Sequence, residues 1–396
     1  MTIRPALRVA ATAVLFYSFV FARDACGQSV SDVLTFLATN QSVETGNIAR
    51  DRDAAQATSD TISRALVANL ATLPVSSSSG AFVYRLNAEL GTVERATQTF
   101  GPFFIERALT AGPRHSALGI TFQHLEFTSL DGHNLRDGSL VTTANQFVDE
   151  STPFDVERLT LDVAADIATL YGSVGLTNRV EIGFAAPMIA LRMSGQRVDA
   201  YYGRLSTQAT ASASALGLAD LVVRSKFLLF NEPGAGGLAA AVDLRVPTGR
   251  REDLLGAGTA SIKFTGIGSL ETGRVETHAN AGVSVGGLAR ELDYGAAVGV
   301  AATERLSLTG ELLGRWIDTP GGIAAVSAPH PMLRDVNTIR LVPDASTLRI
   351  TTVVPGFKWN ITDTWVLVGN VSVPLTAAGL TSPITPIVGL DYSFGR

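Results

Sequence analysis

Charged and polar side chains recur at every second position in several segments of this sequence, with apolar side chains between them. In the segment that begins at Arg158, Leu159 and Leu161 alternate with Thr160 and Asp162. Because successive residues of a β-strand point to opposite faces, such a segment has one apolar and one charged face. Charges of both signs on one face can form ion pairs that close an interior, or can line an aqueous path for a solute.

We predict that the charged faces line the lumen of a β-barrel and that the apolar faces contact lipid. An Arg or Lys facing hydrocarbon at the bilayer midplane would cost about 2–4 kcal/mol. An interior filled by structural ion pairs and an open path both fit this pattern. The candidate lumen-lining residues are Arg158, Asp162, Asp166, Glu181, Arg224, Lys226, Asp243, Arg245, Lys263, Glu276, His278, Glu311, Arg315 and Arg349.

Catalytic and metal-binding patterns are sparse. The five histidines are scattered, and the neighbours His115 and Ser116 would point to opposite faces of a strand. His278 lies between Glu276 and Asn280 on a predicted inward face, which is typical of a lumen hydrogen-bonding residue. We therefore predict no catalytic residue, metal site or cofactor, and we do not expect an enzyme.

Twelve two-periodic segments can be recognised from residue 115 onward. The connectors between them are alternately short and long, with short ones after the even-numbered segments, as in an antiparallel up-and-down transmembrane barrel with turns at one end and loops at the other. The segments are 115–128, 154–171, 178–194, 219–230, 237–247, 259–270, 275–287, 290–301, 305–317, 346–359, 364–374 and 384–394.

Aromatic residues near segment ends indicate where a barrel would meet the membrane interfaces. Tyr171, Trp316, Trp359 and Trp365 are the candidates for such positions. The final segment alternates apolar with small or polar residues and has its last aromatic residue at Phe394, which resembles the signal read by the barrel-assembly machinery of bacterial outer membranes.

The chain before the barrel divides into three parts. Residues 1–27 have Arg4 and Arg8 before a short apolar run and a small-residue site, which predicts a secretory signal peptide. Residues 28–79 have helical spacing and fit either a periplasmic arm or a lumen plug. Residues 80–114 read as a hairpin and lead-in segment, with a short strand expected near 100–108, and the barrel occupies 115–396.

Composition narrows the class further. The chain has 396 residues, of which 46% are hydrophobic and 17% charged. Outside the predicted signal peptide, no apolar run reaches the roughly 18 residues of a membrane-spanning helix. A net charge of −5 disfavours nucleic acid as a partner.

Short motifs resemble those of bacterial outer-membrane barrels of the phenol meta-degradation pathway (the MetA-pathway transporter-like family). They are Ser76–Gly80 with Phe82 and Tyr84, Phe100-Gly101-Pro102, Glu106-Arg107-Ala108, Arg245-Val246-Pro247-Thr248-Gly249 and Gly256-Ala257-Gly258. The resemblance implies an outer-membrane barrel and a hydrophobic or aromatic solute, and it transfers no catalytic residue.

These observations favour a channel of the bacterial outer membrane for passive passage of small, hydrophobic or aromatic solutes, in contact with outer-membrane lipid. An outer-membrane enzyme such as a lipid hydrolase and a structural or adhesive barrel are the alternatives. Labelling by a serine-directed probe would favour the enzyme, whereas solute-dependent conductance would favour the channel.

Overall fold

Twelve antiparallel strands form a closed barrel in the computed structural model. The structure describes residues 28–38, 56–57, 60–67, 70, 77, 82–87, 92–318, 322–344 and 347–394, so the predicted signal peptide lies outside the described residues. Strand order around the wall is β7-β3-β21-β19-β18-β15-β14-β13-β12-β11-β10-β8, and pairing of β8 with β7 closes the circle. The wall strands are β3 (Ser116–Phe127), β7 (Asp155–Gly175), β8 (Val180–Tyr201), β10 (Leu221–Glu232), β11 (Gly236–Val246), β12 (Ser261–Thr272), β13 (Val275–Gly286), β14 (Arg290–Ala301), β15 (Leu306–Asp318), β18 (Leu348–Thr362), β19 (Trp365–Pro374) and β21 (Thr385–Phe394).

The fold prediction is confirmed, since each of the twelve predicted segments corresponds to one wall strand. Connectors at one end are brief, as at 233–235 and 273–274, and this is called the short-turn end. Most connectors at the opposite, long-loop end are longer, although 287–289 is brief there too. The first and last wall strands both place their terminal sides at the short-turn end, because Ser116 pairs with Phe394.

Two strands continue past the barrel at the long-loop end. β7 and β8 have 21 and 22 residues, and their outer parts extend the sheet by three strands beside β7 and by one strand beside β8. Other short strands form a hairpin before the barrel and a small sheet among the loops. These further elements are β1 (Tyr84–Asn87), β2 (Thr92–Arg95), β4 (Ser129–Leu130), β5 (His133–Asn134), β6 (Leu140–Phe147), β9 (Arg204–Leu218), β16 (Gly322–Pro329), β17 (Val336–Asp344) and β20 (Leu380–Thr381).

A belt of exposed apolar side chains surrounds the barrel. Phe122 on β3 and Phe264 on β12 are 51% and 56% exposed, and Leu308 and Val388 are similarly exposed on their strands. Continuous apolar exposure on this scale is unfavourable in water but matches the band that faces acyl chains in transmembrane barrels. The belt therefore identifies a membrane-spanning barrel.

The predicted faces of β7 are reversed. Leu159 and Leu161 are buried inside, whereas Arg158, Asp162 and Asp166 lie on the outer face. The physical reason is that this part of β7 extends beyond the belt, where the outer face meets water and headgroups while the inner face packs against an apolar core. The prediction for Arg349 also needs correction, because this residue lies on the outer face of β18 and over the ring of Trp316. Its position near the long-loop end of the strand again places the charge at the edge of the belt rather than inside it.

The apolar core at the long-loop end contains helix α1 (Val30–Ala38) and helical residues 60–67. Ser29 and Asp32 cap α1 reciprocally, with the Asp32 N–H 3.0 Å from Ser29 Oγ. Leu34 and Leu37 are fully buried in the cluster that includes Leu159. None of the described helices has the length and apolar character needed to cross a membrane.

The aromatic prediction holds for three of its four residues. Trp316, Trp359 and Trp365 are exposed on the outer face. Tyr171 instead points inward and is bonded to the buried Asp391, because it shares a strand face with Leu159 rather than with the outward Leu170.

Candidate functional site: a strap across the lumen

Residues 97–111, here called the strap, cross the interior of the barrel. They contain no strand, contrary to the short strand expected near 100–108. Most of their side chains are buried, including Phe100 and Phe103. The strap contacts wall strands on opposite sides of the barrel, from β18 through β15, β13 and β12 to β8. An interior-crossing segment of this kind decides whether the lumen is open.

Glu311 on β15 is the central anchor of the strap. Its carboxylate accepts hydrogen bonds from three consecutive main-chain N–H groups, those of Phe103, Phe104 and Ile105, at 2.5, 2.8 and 2.8 Å. A carboxylate has enough lone pairs for several such donors, and charge-assisted bonds of this type are stronger than neutral ones. Glu311 therefore fixes the bend of the strap through main-chain contacts that do not depend on the side chains of Phe103, Phe104 and Ile105.

Other wall side chains also bind the main chain of the strap. Carboxylates and hydroxyls accept from its N–H groups, and an ammonium donates to its carbonyls. These contacts are Glu276 with Thr99 N (3.3 Å), Ser307 with Phe100 N (3.1 Å), Ser269 with Ala108 N (2.9 Å), Glu181 with Ala111 N (2.6 Å), and Lys358 Nζ with the carbonyls of Phe100 (3.3 Å) and Pro102 (2.9 Å).

Glu106 is a charged strap side chain that forms ion pairs with the wall. It bonds Arg224 and lies 3.4 Å from Lys226 Nζ, which is also 3.3 Å from Glu181. Arg224 is held from the other side by Asp243 at 2.6 Å. Breaking a buried pair by removing one partner typically costs about 3–5 kcal/mol, so this network holds the strap firmly.

A cavity of about 150 Å³ with charged and apolar lining residues lies on the long-loop side of the strap. Its wall carries charges of both signs that pair with each other, such as Lys263 with Asp293 at 2.9 Å and Arg315 with Glu291. Arg245 also lines the cavity. Mixed, mutually paired charge of this kind is suited to a small polar or amphipathic solute rather than to strong selection for one sign.

An adjoining cavity of about 110 Å³ has a more apolar lining. Phe127, Leu125 and Leu380 form part of its wall, and several Ser and Thr residues also line it. Phe104 of the strap lines both cavities, as does Arg315. The strap thus shapes both long-loop cavities.

A third cavity, of about 660 Å³, opens at the short-turn end. It is lined by Thr97, Gln98, Glu271 and Glu276 among others. The strap residues that line it differ from those that line the other two. The strap therefore separates the short-turn mouth from the long-loop cavities.

Ten of the fourteen predicted lumen residues point inward: Glu181, Arg224, Lys226, Asp243, Arg245, Lys263, Glu276, His278, Glu311 and Arg315. The other four, corrected above, lie outside. Sequence reasoning missed Glu106, Lys358 and Asp391. Lys358 and Asp391 each lie between outward apolar residues, so the alternation of their strands could have predicted that they point inward. Glu106 could not be placed in this way, because the strap has no periodicity.

Three inward residues, Ser269, His278 and Glu276, lie next to one another in series. Ser269 Oγ lies 2.8 Å from His278 Nδ1, and His278 Nε2 lies 3.4 Å from a Glu276 carboxylate oxygen. Pairing of β12 with β13 places Ser269 opposite His278. The order hydroxyl, imidazole, carboxylate is that of a serine hydrolase, but Ser269 Oγ also accepts the Ala108 N–H. Within the described residues, no group of three or more His, Cys, Asp or Glu could hold a metal ion.

Neither a family model nor a curated protein matches the chain. Among solved structures, it is similar to an outer membrane channel from Pseudomonas putida F1, with 14% identity, 72% of this chain and 98% of that chain covered, and a TM-score of 0.49. It is also similar to the outer membrane protease OmpT from Escherichia coli (13% identity, 72% and 98% covered, TM-score 0.28) and to OprB from Pseudomonas putida (10%, 71% and 92%, TM-score 0.27). At these identities and TM-scores, no function is carried over from them.

Proposed function

We propose that the protein is a channel of the bacterial outer membrane for small solutes, and that displacement of the strap opens it. The observation that carries the proposal is the strap itself, which divides a lined lumen into cavities at its two ends. With the short-turn end in the periplasm, the predicted signal peptide and terminal strand are consistent with export and assembly by the usual outer-membrane route.

The solute class that fits best is a small hydrophobic or aromatic molecule with a polar group. The cavity beside Phe104 combines aromatic and aliphatic walls with hydroxyls and the Arg315 guanidinium. Such a lining binds an apolar body and orients one polar end. The resemblance in the short sequence motifs favours the same class.

Conductance of the purified protein in planar bilayers tests the channel. Glu311→Gln replaces a carboxylate that accepts three N–H bonds with an amide that has a single acceptor oxygen, so strap closure weakens. We expect the variant to conduct several-fold more than wild type, and Glu150→Gln, an exposed loop change, to match wild type. Unchanged conductance in Glu311→Gln contradicts strap gating. Benzoate uptake into liposomes that is no faster with either protein than without protein contradicts the channel.

A second candidate function, ester hydrolysis, is favoured by the Ser269–His278–Glu276 series. In the closed state Ser269 Oγ is occupied by the strap amide, so this activity requires the strap to move. A fluorophosphonate probe would label Ser269 in Glu311→Gln but not in Glu311→Gln/Ser269→Ala. Absence of labelling in the opened variant excludes the hydrolase.

A further inference from the structure

Six ionisable side chains form a continuous network on the outside of the barrel, five of them on β3, β7 and β8 and the sixth, Arg136, in the turn between β5 and β6. The network, called the rim network, runs Arg192–Asp166–His124–Glu126–Arg136–Asp162. Arg192 pairs with Asp166 at 2.8 Å and Arg136 with Asp162 at 2.9 Å. His124 lies 2.6 Å from Asp166 and 3.7 Å from Glu126, which lies 3.6 Å from Arg136.

The rim network begins where the apolar belt ends. On β3, outward Ile120 and Phe122 are followed on the same face by His124. On β7, outward Leu170 lies in the belt and Asp166 lies on the same face nearer the long-loop end, where it pairs in register with His124. These charges therefore lie at the depth of lipid headgroups at the long-loop end.

Three other wall strands have apolar outward positions at the same end. These are β10, β11 and β13, as at Val223, Leu244 and Val283. Single outward charges lie there on β14, β15 and β18, at Arg290, Asp318 and Arg349. The rim network differs from them because its side chains are joined to one another by ion pairs.

The guanidinium groups of Arg136 and Arg192 have N–H donors that their ion pairs in the rim network do not use. Each guanidinium has five N–H donors, and the ion pairs of Arg136 and Arg192 within the described residues use Nη2 alone. Their side chains remain 41% and 59% exposed. The neighbouring carboxylates orient the planar forks, and such forks match phosphate oxygens in bidentate geometry.

We propose that the rim network binds the phosphate group of a membrane lipid through Arg136 and Arg192. The proposal rests on the outer-membrane placement proposed above but not on channel activity. In that placement the long-loop end faces the outer leaflet, so the partner is a phosphorylated glycolipid of that leaflet. The site would fix the rotation and depth of the barrel at the side that carries the β7–β8 extension.

Native mass spectrometry of the delipidated full-length protein in detergent, titrated with lipid A, tests this proposal. We expect Arg136→Gln/Arg192→Gln to weaken lipid A binding by roughly tenfold or more, as the loss of two charge-assisted contacts predicts. Arg204→Gln, an exposed arginine on β9, should bind like wild type, and Arg136→Lys/Arg192→Lys should fall between because charge remains but the fork is lost.

Three results would overturn the proposal: equal lipid A binding by wild type and the double Gln variant, equal wild-type binding of a dephosphorylated analogue, or displacement of lipid A by millimolar inorganic phosphate. The last would assign the patch to free phosphate instead. Heat-modifiable migration on gels confirms that each variant is folded. Conductance is measured separately, so loss of lipid binding with normal conductance leaves the channel proposal intact.

Discussion

The buried carboxyl group of Asp199, at the outer end of β8, has a raised pKa. Asp199 lies opposite Glu157 across the strand pair and near Asp155 and Arg197, beyond the membrane belt. Burial, followed by hydrogen bonding and charge repulsion from Asp155, raises the pKa of Asp199 from 3.8 to about 6. A carboxyl group with a raised pKa binds protons more tightly in the folded state than in the unfolded state.

Stability should therefore fall as pH rises from about 4 to about 6, because the unfolded state releases the Asp199 proton first. Asp199→Asn removes that proton and should flatten the dependence. Thermal unfolding midpoints in detergent across this pH range measure the effect, with Asp149→Asn, an exposed loop change, as control. Equal slopes in wild type and Asp199→Asn would contradict the assignment.

At the residue scale, alternation predicted correctly which charges point inward wherever the outside is lipid. Glu181, Asp243 and Glu311 follow this rule because a charge facing hydrocarbon is costly. It failed at Arg158 and Asp162, where β7 has left the membrane and the apolar side chains are needed inside. Sequence alone could not mark that boundary, since the period of two continues through it.

Helix α1 is predicted to depend on its apolar face rather than on intrinsic helix propensity, since it has only nine residues. Leu34→Ala removes a fully buried side chain and should destabilise the docked helix by about 2–5 kcal/mol. Phe36 lies on the exposed face of the helix and is 52% exposed. Phe36→Ala should therefore change the stability of the docked helix by about 0.5 kcal/mol or less. Hydrogen exchange of the α1 amides measures both, and equal exchange in the two variants would contradict this packing.

Adjacent wall strands fit together through aromatic rings that lie over glycines. Tyr294 on β14 is paired with Gly314 on β15, and a Cβ at Gly314 would overlap the ring. Gly314→Ala should therefore destabilise the barrel by about 1–3 kcal/mol, as overpacking does. Gly310→Ala is the matched control on the same face, because its Cβ would meet Val298 at an ordinary 3.8 Å. Denaturant unfolding in lipid vesicles measures both, and equal costs would contradict the fit.

At the element scale, the wall strands were predictable because each shows its own period and turn residues. The strap was not, since its fifteen or so residues have no period and their conformation is imposed by Glu311, Lys358 and other wall side chains. Its one local signal was the adjacent Glu106 and Arg107 within an otherwise apolar stretch. Such buried opposite charges need partners from elsewhere in the chain, which only the folded barrel supplies.

At the scale of the whole molecule, the tryptophans mark the two membrane–water interfaces of the barrel. Trp316 lies outward near the long-loop end of β15, where it pairs in register with Arg349. Trp359 and Trp365 lie outward at the short-turn end, where the ring centroids of Trp365 and Tyr392 are 4.6 Å apart. Indole rings favour the headgroup level, so these positions mark the two edges of the belt.

Fluorescence quenching by lipids brominated at different depths tests this placement in reconstituted vesicles. Single-tryptophan variants carrying only Trp316 or only Trp359 should both be quenched more by bromine near the headgroup than by bromine near the acyl-chain ends. Ile384→Trp, at an exposed position just before β21 at the long-loop end, supplies a reference beyond the belt and should be quenched least. Strongest quenching of Trp316 at the bilayer centre would shift the belt by half its height towards the long-loop end. The rim network would then lie inside hydrocarbon, where its charges could not be stable, so this one measurement constrains the belt, the strand faces and the lipid site together.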